Sequence, residues 1–168
     1  MVMPATYEDL GQRARRWKRA LADSATGPLI IAPEIVDLAE HWEQYKAEAG
    51  GQSCTAWLQS VLTRGQNYAY FYARHRAVER LGEASRRTMH HEVAVYVTNN
   101  VQDQYIDAVK LMLMRECKAQ NGNPLTLAQA KPRIHEITGH AAQKREAKGC
   151  DRCMELEAKL KEAGISAE

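Results

Sequence analysis

The sequence predicts an all-α fold: a multi-helix domain containing a helix-turn-helix, with a short C-terminal helical tail. Three observations carry this. Apolar residues recur at three- and four-residue spacing along most of the chain. Capping signatures precede several of these runs, and glycine or proline closes them. No strand-rich region and no internal repeat is present.

The first helix is marked by Tyr7, Leu10, Ala14, Trp17 and Leu21 on one stripe, with Thr6 as expected N-cap and Asp9 at the capping-box position. Gly27-Pro28 breaks it. The apolar run Leu29-Ile-Ile-Ala-Pro33 is expected to be extended, with a second helix starting at Pro33. That helix lines up Ile35, Leu38, Trp42 and Tyr45 opposite Glu34, Asp37, Glu40 and Glu43, and ends at Gly50-Gly51. Ser53 caps a short helix reaching Leu62, and a turn over 63–66 leads into a longer helix. Further helices are expected over His91 to Asn99 and Asp103 to Ala119. Asn121 to Pro124 forms a loop. Thr126 and Gln129 form a capping box, but Pro132 falls six residues after Thr126. An interior proline costs roughly 3 kcal/mol, so this helix is expected to be short or to restart. The tail from Asp151 places Cys153, Leu156, Leu160 and Ala163 on one seam. The expected organisation is therefore an N-terminal helical region over 1–50, a helix-turn-helix DNA-binding domain over 51–140, and a charged connector with a C-terminal helix over 141–168.

The bulk numbers bound the function. A chain of 168 residues with 45% hydrophobic content can build a core, which argues against global disorder. The net charge of +2 does not by itself announce a nucleic-acid binder, so the location of the charge must decide. No apolar run is long enough for a membrane span, and the N-terminal stretch has no apolar signal core, so a cytoplasmic protein is expected. The four cysteines are then expected to be thiols or metal ligands rather than disulfides.

The segment Thr63 to Gly82 holds the only phenylalanine and three of the seven tyrosines. At about 100° per residue, Tyr70, Phe71, Ala77, Val78 and Leu81 fall on one side. Tyr68, Tyr72, His75, Arg76 and Arg80 fall on the other. Arg74 lies near the apolar side and needs an edge position or a carboxylate partner. With the short helix before it, this is the order of a helix-turn-helix, whose second helix enters the major groove. Gln66, Asn67 and Tyr68 stand where base-reading residues are expected, because Gln and Asn can bond adenine in bidentate fashion. Arg64, Arg74, Arg76, Arg80, Arg86 and Arg87 are the candidate phosphate contacts. A core helix with a solvated basic face is the alternative.

The region 53–138, which contains this segment, resembles the central DNA-binding region of ParB/KorB-type partition proteins. The likeness lies in the order of parts: a helix-turn-helix, the step Leu81-Gly82-Glu83, the helix start His91-Glu-Val-Ala94, then Pro124-Leu-Thr-Leu-Ala-Gln-Ala130. The resemblance implies sequence-specific binding of double-stranded DNA. That no catalysis and no cofactor are expected follows instead from the lack of a phosphate loop, a triad order or a diagnostic carboxylate pair. The inter-helix turn is longer than that family's, and Pro132 interrupts the last matching helix. No nucleotide site is expected: Gly11 to Ala20 only faintly suggests the family's Gly-x-Arg-Arg box. Its Arg13, Arg15, Arg16, Lys18 and Arg19 read more simply as a basic helix face, open to DNA phosphates or to solvent.

Other constellations compete for a role. His135 and His140 are five apart, not the four that two helical zinc ligands need, so a zinc protease is not expected. A structural zinc on His135, His140, Cys150 and Cys153 competes with a plainer reading, in which Cys153 is a small apolar seam residue. His90-His91 suggests backbone contact or capping. No phosphate loop or catalytic triad order is present. The expected function is that of a regulator or partition-type factor on double-stranded DNA, acting as a homodimer to match palindromic sites, with the C-terminal helix available to a protein partner. The alternative is a helical protein–protein adaptor.

Overall fold

The computed structural model describes residues 8–139, and every regular element among them is helical. The elements are α1 (Leu10–Leu21), α2 (Gly27–Glu40), a single 3-10 turn (Trp42–Gln44), α3 (Cys54–Val61), α4 (Tyr68–Leu81), α5 (Ser85–Thr88), α6 (His91–Asn100), α7 (Asp103–Ala119) and α8 (Leu127–Thr138). Thr6, Tyr7, His140, the connector and the C-terminal tail with Cys150, Cys153, Leu156, Leu160 and Ala163 lie outside the described residues.

Local chemistry sets most of the helix starts. Asp9, rather than Thr6, caps α1: its carboxylate accepts from the Gln12 amide at 2.7 Å, and Gln12 closes the capping box. Ser53 caps α3, Asn67 caps α4, and Thr126 with Gln129 forms the capping box of α8.

The segment 29–33, expected to be extended, is instead helical, and α2 runs unbroken through Pro33. Leu29, Ile31 and Ala32 are fully or almost fully buried. Their burial against neighbouring helices, worth about 1.5–3 kcal/mol for each large side chain, outweighs the local cost of the proline. The Arg86 guanidinium also donates to the Ile30 carbonyl at 2.5 Å, one residue on from the Leu29 carbonyl whose helical partner the proline removes. Likewise α8 neither stops nor restarts at Pro132. Pro132 and Ala128, whose carbonyl loses its partner, are not buried, so water can satisfy that carbonyl.

Helix α4 lies along α2 and α6. It runs antiparallel to α2. Tyr68 at its start feels the Glu40 carboxylate at the end of α2, and Arg86, just beyond its end, reaches Ile30 near the start of α2. Two apolar clusters flank the pair. One gathers Leu10, Trp17, Ile31, Ile35, Leu38, Trp42, Trp57, Leu58, Leu62 and Phe71. At its centre Trp57 meets Trp17 edge-on at 5.9 Å and Trp42 at 5.6 Å. The other joins Ala77, Val78 and Leu81 of α4 to α6, α7 and α8. The core therefore crosses positions 50–51, where the sequence suggests a domain boundary.

One close approach fixes how α1 hands over to α2. A Cβ at Gly27 would stand 2.1 Å from the Ala20 carbonyl oxygen, which is backbone and cannot swing away. Gly27→Ala is therefore expected to destabilise the fold by about 3 kcal/mol, read from a denaturant midpoint. Arg86→Ala should cost about 2 kcal/mol, because it removes a partly buried hydrogen bond made by a charged donor to the Ile30 carbonyl. Arg87→Ala, at an exposed neighbour, should stay within about 0.5 kcal/mol. Equal effects at 86 and 87 would contradict this account.

Candidate functional site

The stripe Tyr68, Tyr72, Arg76 occupies successive turns of α4 on the side away from its buried residues. Tyr68 and Tyr72 are 39% and 43% exposed, and their rings stack on each other at 5.8 Å. Two large aromatic rings left open side by side are unusual for a face meant only for water. Arg76 is exposed and makes no ion pair among the described residues. His75 flanks the stripe, 3.3 Å from Glu79.

The structure divides the expected phosphate-binding arginines into two groups. Arg64, Arg76 and Arg87 are exposed. Arg74, Arg80 and Arg86 are spent inside the fold. Arg80 donates to the carbonyls of Thr98 and Val101 and pairs with Asp103 at 2.6 Å, clamping the end of α6 to the start of α7. Arg86 holds Ile30 and pairs with Glu83 at 2.8 Å.

Arg74 is 9% exposed and has neither an edge position nor a carboxylate in contact. Its guanidinium donates to the Tyr70 carbonyl at 2.8 Å and lies 3.2 Å from the centre of the Tyr70 ring. Its other nitrogens reach His91 Nδ1 at 3.1 and 2.9 Å. That contact makes Nδ1 an acceptor, so the His91 ring is neutral with its proton on Nε2. Burial, the Arg74 charge and His90 together press the His91 pKa down to about 4. Burial also lowers the pKa of Arg74, opposed by Tyr70. A cation in a nearly dry site is thus held by an aromatic face and two neutral acceptors.

The expected base-reading amides are also partly committed. The Asn67 carbonyl oxygen accepts from the Tyr70 amide at 2.9 Å as the helix cap. The Gln66 side-chain oxygen is buried without a partner. Bidentate pairing with adenine needs both amide atoms free, so neither residue offers it in this arrangement. Of the three, Tyr68 is exposed and makes no side-chain hydrogen bond among the described residues. Tyr72 was legible as its partner four residues on, but the sequence did not single it out as a reader.

The basic face of α1 is thinner than expected as well. Arg16 bonds Glu8 at 2.7 Å and Glu34 at 2.8 Å, and Arg13 lies over the Tyr45 ring. Arg15, Lys18 and Arg19 remain exposed. His90 caps α6 by accepting from the Glu92 amide. His135 Nε2 sits 3.1 Å from the Tyr96 hydroxyl, and its expected zinc partners His140, Cys150 and Cys153 lie outside the described residues. Among the described residues no three His, Cys, Asp or Glu side chains converge as metal ligands, and no helix is long and apolar enough to cross a membrane.

Comparison with family models, curated proteins and solved structures returns no match. The ParB/KorB resemblance therefore rests on the order of parts alone. In the fold, α4 lies along α2 and α6, while α3 joins the body through the tryptophan cluster.

The His91 site has a pH signature. The unfolded imidazole titrates near 6.5 and the folded one near 4, so in that window only the unfolded chain takes up the proton. Stability is expected to be fully present above pH 6.5 and to fall by about 2 kcal/mol as the pH drops to 4, after allowance for solvent screening. His91→Gln keeps an acceptor for Arg74 but cannot titrate. Denaturant midpoints across this range should flatten in that variant, and an unchanged acid loss would assign the effect elsewhere.

Proposed function

We propose that the chain binds double-stranded DNA through the outer face of α4, as a regulator or partition-type factor. One observation carries the reading. α4 turns Arg74 and Arg80 inward while leaving Tyr68, Tyr72 and Arg76 in an exposed row on its outer face. From Tyr68 to Arg76 the helix rises eight steps, about 12 Å, comparable to the width of the major groove. In this reading Tyr68 and Tyr72 contact base edges and thymine methyl groups. Arg64, Arg76 and Arg87 hold phosphates, with Arg15, Lys18 and Arg19 as a second basic strip. The base-reading role leaves Gln66 and Asn67, stays at Tyr68 and extends one turn on to Tyr72. No step in this activity requires catalysis.

The helical adaptor remains the second reading, because exposed tyrosine and arginine are also the residues that anchor protein interfaces. The two differ in their response to salt. Three phosphate contacts give a slope of log K against log salt of about −3 on duplex DNA. Arg76→Ala should lower that slope by about 1, whereas Tyr72→Ala should weaken binding about tenfold at every salt concentration. These values would be read by fluorescence anisotropy on duplexes selected from a random pool. Failure to enrich any duplex, or affinity that ignores salt, would reject the DNA reading and leave the adaptor.

A further inference from the structure

Helix α7 buries Ile106, Val109, Leu113 and Cys117 toward the core. Its opposite side does not read as a purely solvated face. Leu111 is 50% exposed and Met114 37% exposed, two of the four large hydrophobics left open among the described residues. Asp107 stands one turn before Leu111 and Arg115 one turn after it, both exposed. Neither forms an ion pair among the described residues, although Asp103 and Glu116 of the same helix are paired to Arg80 and Arg133. Residues three and four apart share a helix face, so Asp107, Leu111, Met114 and Arg115 form one surface.

We propose that this surface pairs with its own counterpart in a second copy of the chain, the two α7 helices running antiparallel about Leu111. The charge pattern selects this occupant. A two-fold contact requires that if one residue meets another, the converse holds across the axis. With acid four residues before the centre and base four residues after it, antiparallel pairing brings Asp107 toward Arg115 of the second copy twice. Parallel pairing would set like charges together. Ala108 and Met114 lie equally far from Leu111 on either side, so the small residue of one copy leaves room for the thioether of the other. A contact built on one helix is at the low end of interface size, so a concentration-dependent dimer in the micromolar range is expected.

Sedimentation of the full chain from about 1 µM to several hundred µM reads the mass directly, whether or not α4 binds DNA. The expected result is a monomer–dimer equilibrium that Leu111→Glu shifts at least tenfold toward monomer, with an unchanged helical circular-dichroism spectrum. Asp107→Arg alone and Arg115→Asp alone should each weaken the dimer, and the two together should restore it. A monomer throughout the range overturns the proposal. A dimer indifferent to Leu111→Glu, or a charge swap that fails to restore pairing, also overturns it, because association would then use another surface such as residues 140–168.

Discussion

Helix α4 cannot bury its apolar stripe without also burying Arg74. Phe71, Arg74, Val78 and Leu81 follow one another at helical spacing, and all four are buried. The rest of the arrangement depends on how that charge is accommodated. An unpaired buried cation would cost several kcal/mol, so the site supplies the Tyr70 ring, the Tyr70 carbonyl and a neutral His91. His91 opens α6, and its backbone amide donates to the Ala25 carbonyl at 2.8 Å in the connection between α1 and α2. Satisfying one guanidinium therefore ties together α4, α6 and the entry to α2.

The same logic explains why the arginines of 64–87 leave only a modest basic face. Arginine offers five donors in a planar fork, which suits orphaned carbonyls as well as phosphates. Arg80 uses that fork on the end of α6 and the start of α7, and Arg86 uses it beside the proline of α2. Arg80 thus does for the end of α6 what a capping residue does at an exposed helix end. The arginines left outside, with the stacked Tyr68–Tyr72 pair, are the ones available for recognition. The exposed basic face is therefore narrower than a count of positive residues suggests, and more aromatic.

Much of the candidate site was legible in the sequence. The helical phase of 68–81 placed Phe71 inward and Tyr68, Tyr72 and Arg76 outward, which is how they lie. The same phase flagged Arg74 as the awkward residue. What it could not supply was the partner, because an imidazole 17 residues away leaves no local trace and a carboxylate is the commoner expectation. The base-reading role expected of Gln66 and Asn67 met a competing local rule: an Asn just before a helix caps it.

The sequence alone determined the all-α class, the capped starts of α3 at Ser53 and of α8 at Thr126, and the outward placing of Tyr68, Tyr72 and Arg76. Each is encoded by residues within a turn or two of one another, where spacing and hydrogen-bond geometry leave few options. It did not determine the limits of α2, which starts at Gly27 rather than Pro33 and ends at Glu40 rather than at Gly50-Gly51. Tertiary structure alone decided that α2 continues through Pro33, that the core joins the first helices to those beyond position 50, and which arginines face inward. Those outcomes rest on groups such as Arg86 and Ile30, 56 residues apart in the chain. Their meeting depends on burial summed over several helices, which no local pattern contains.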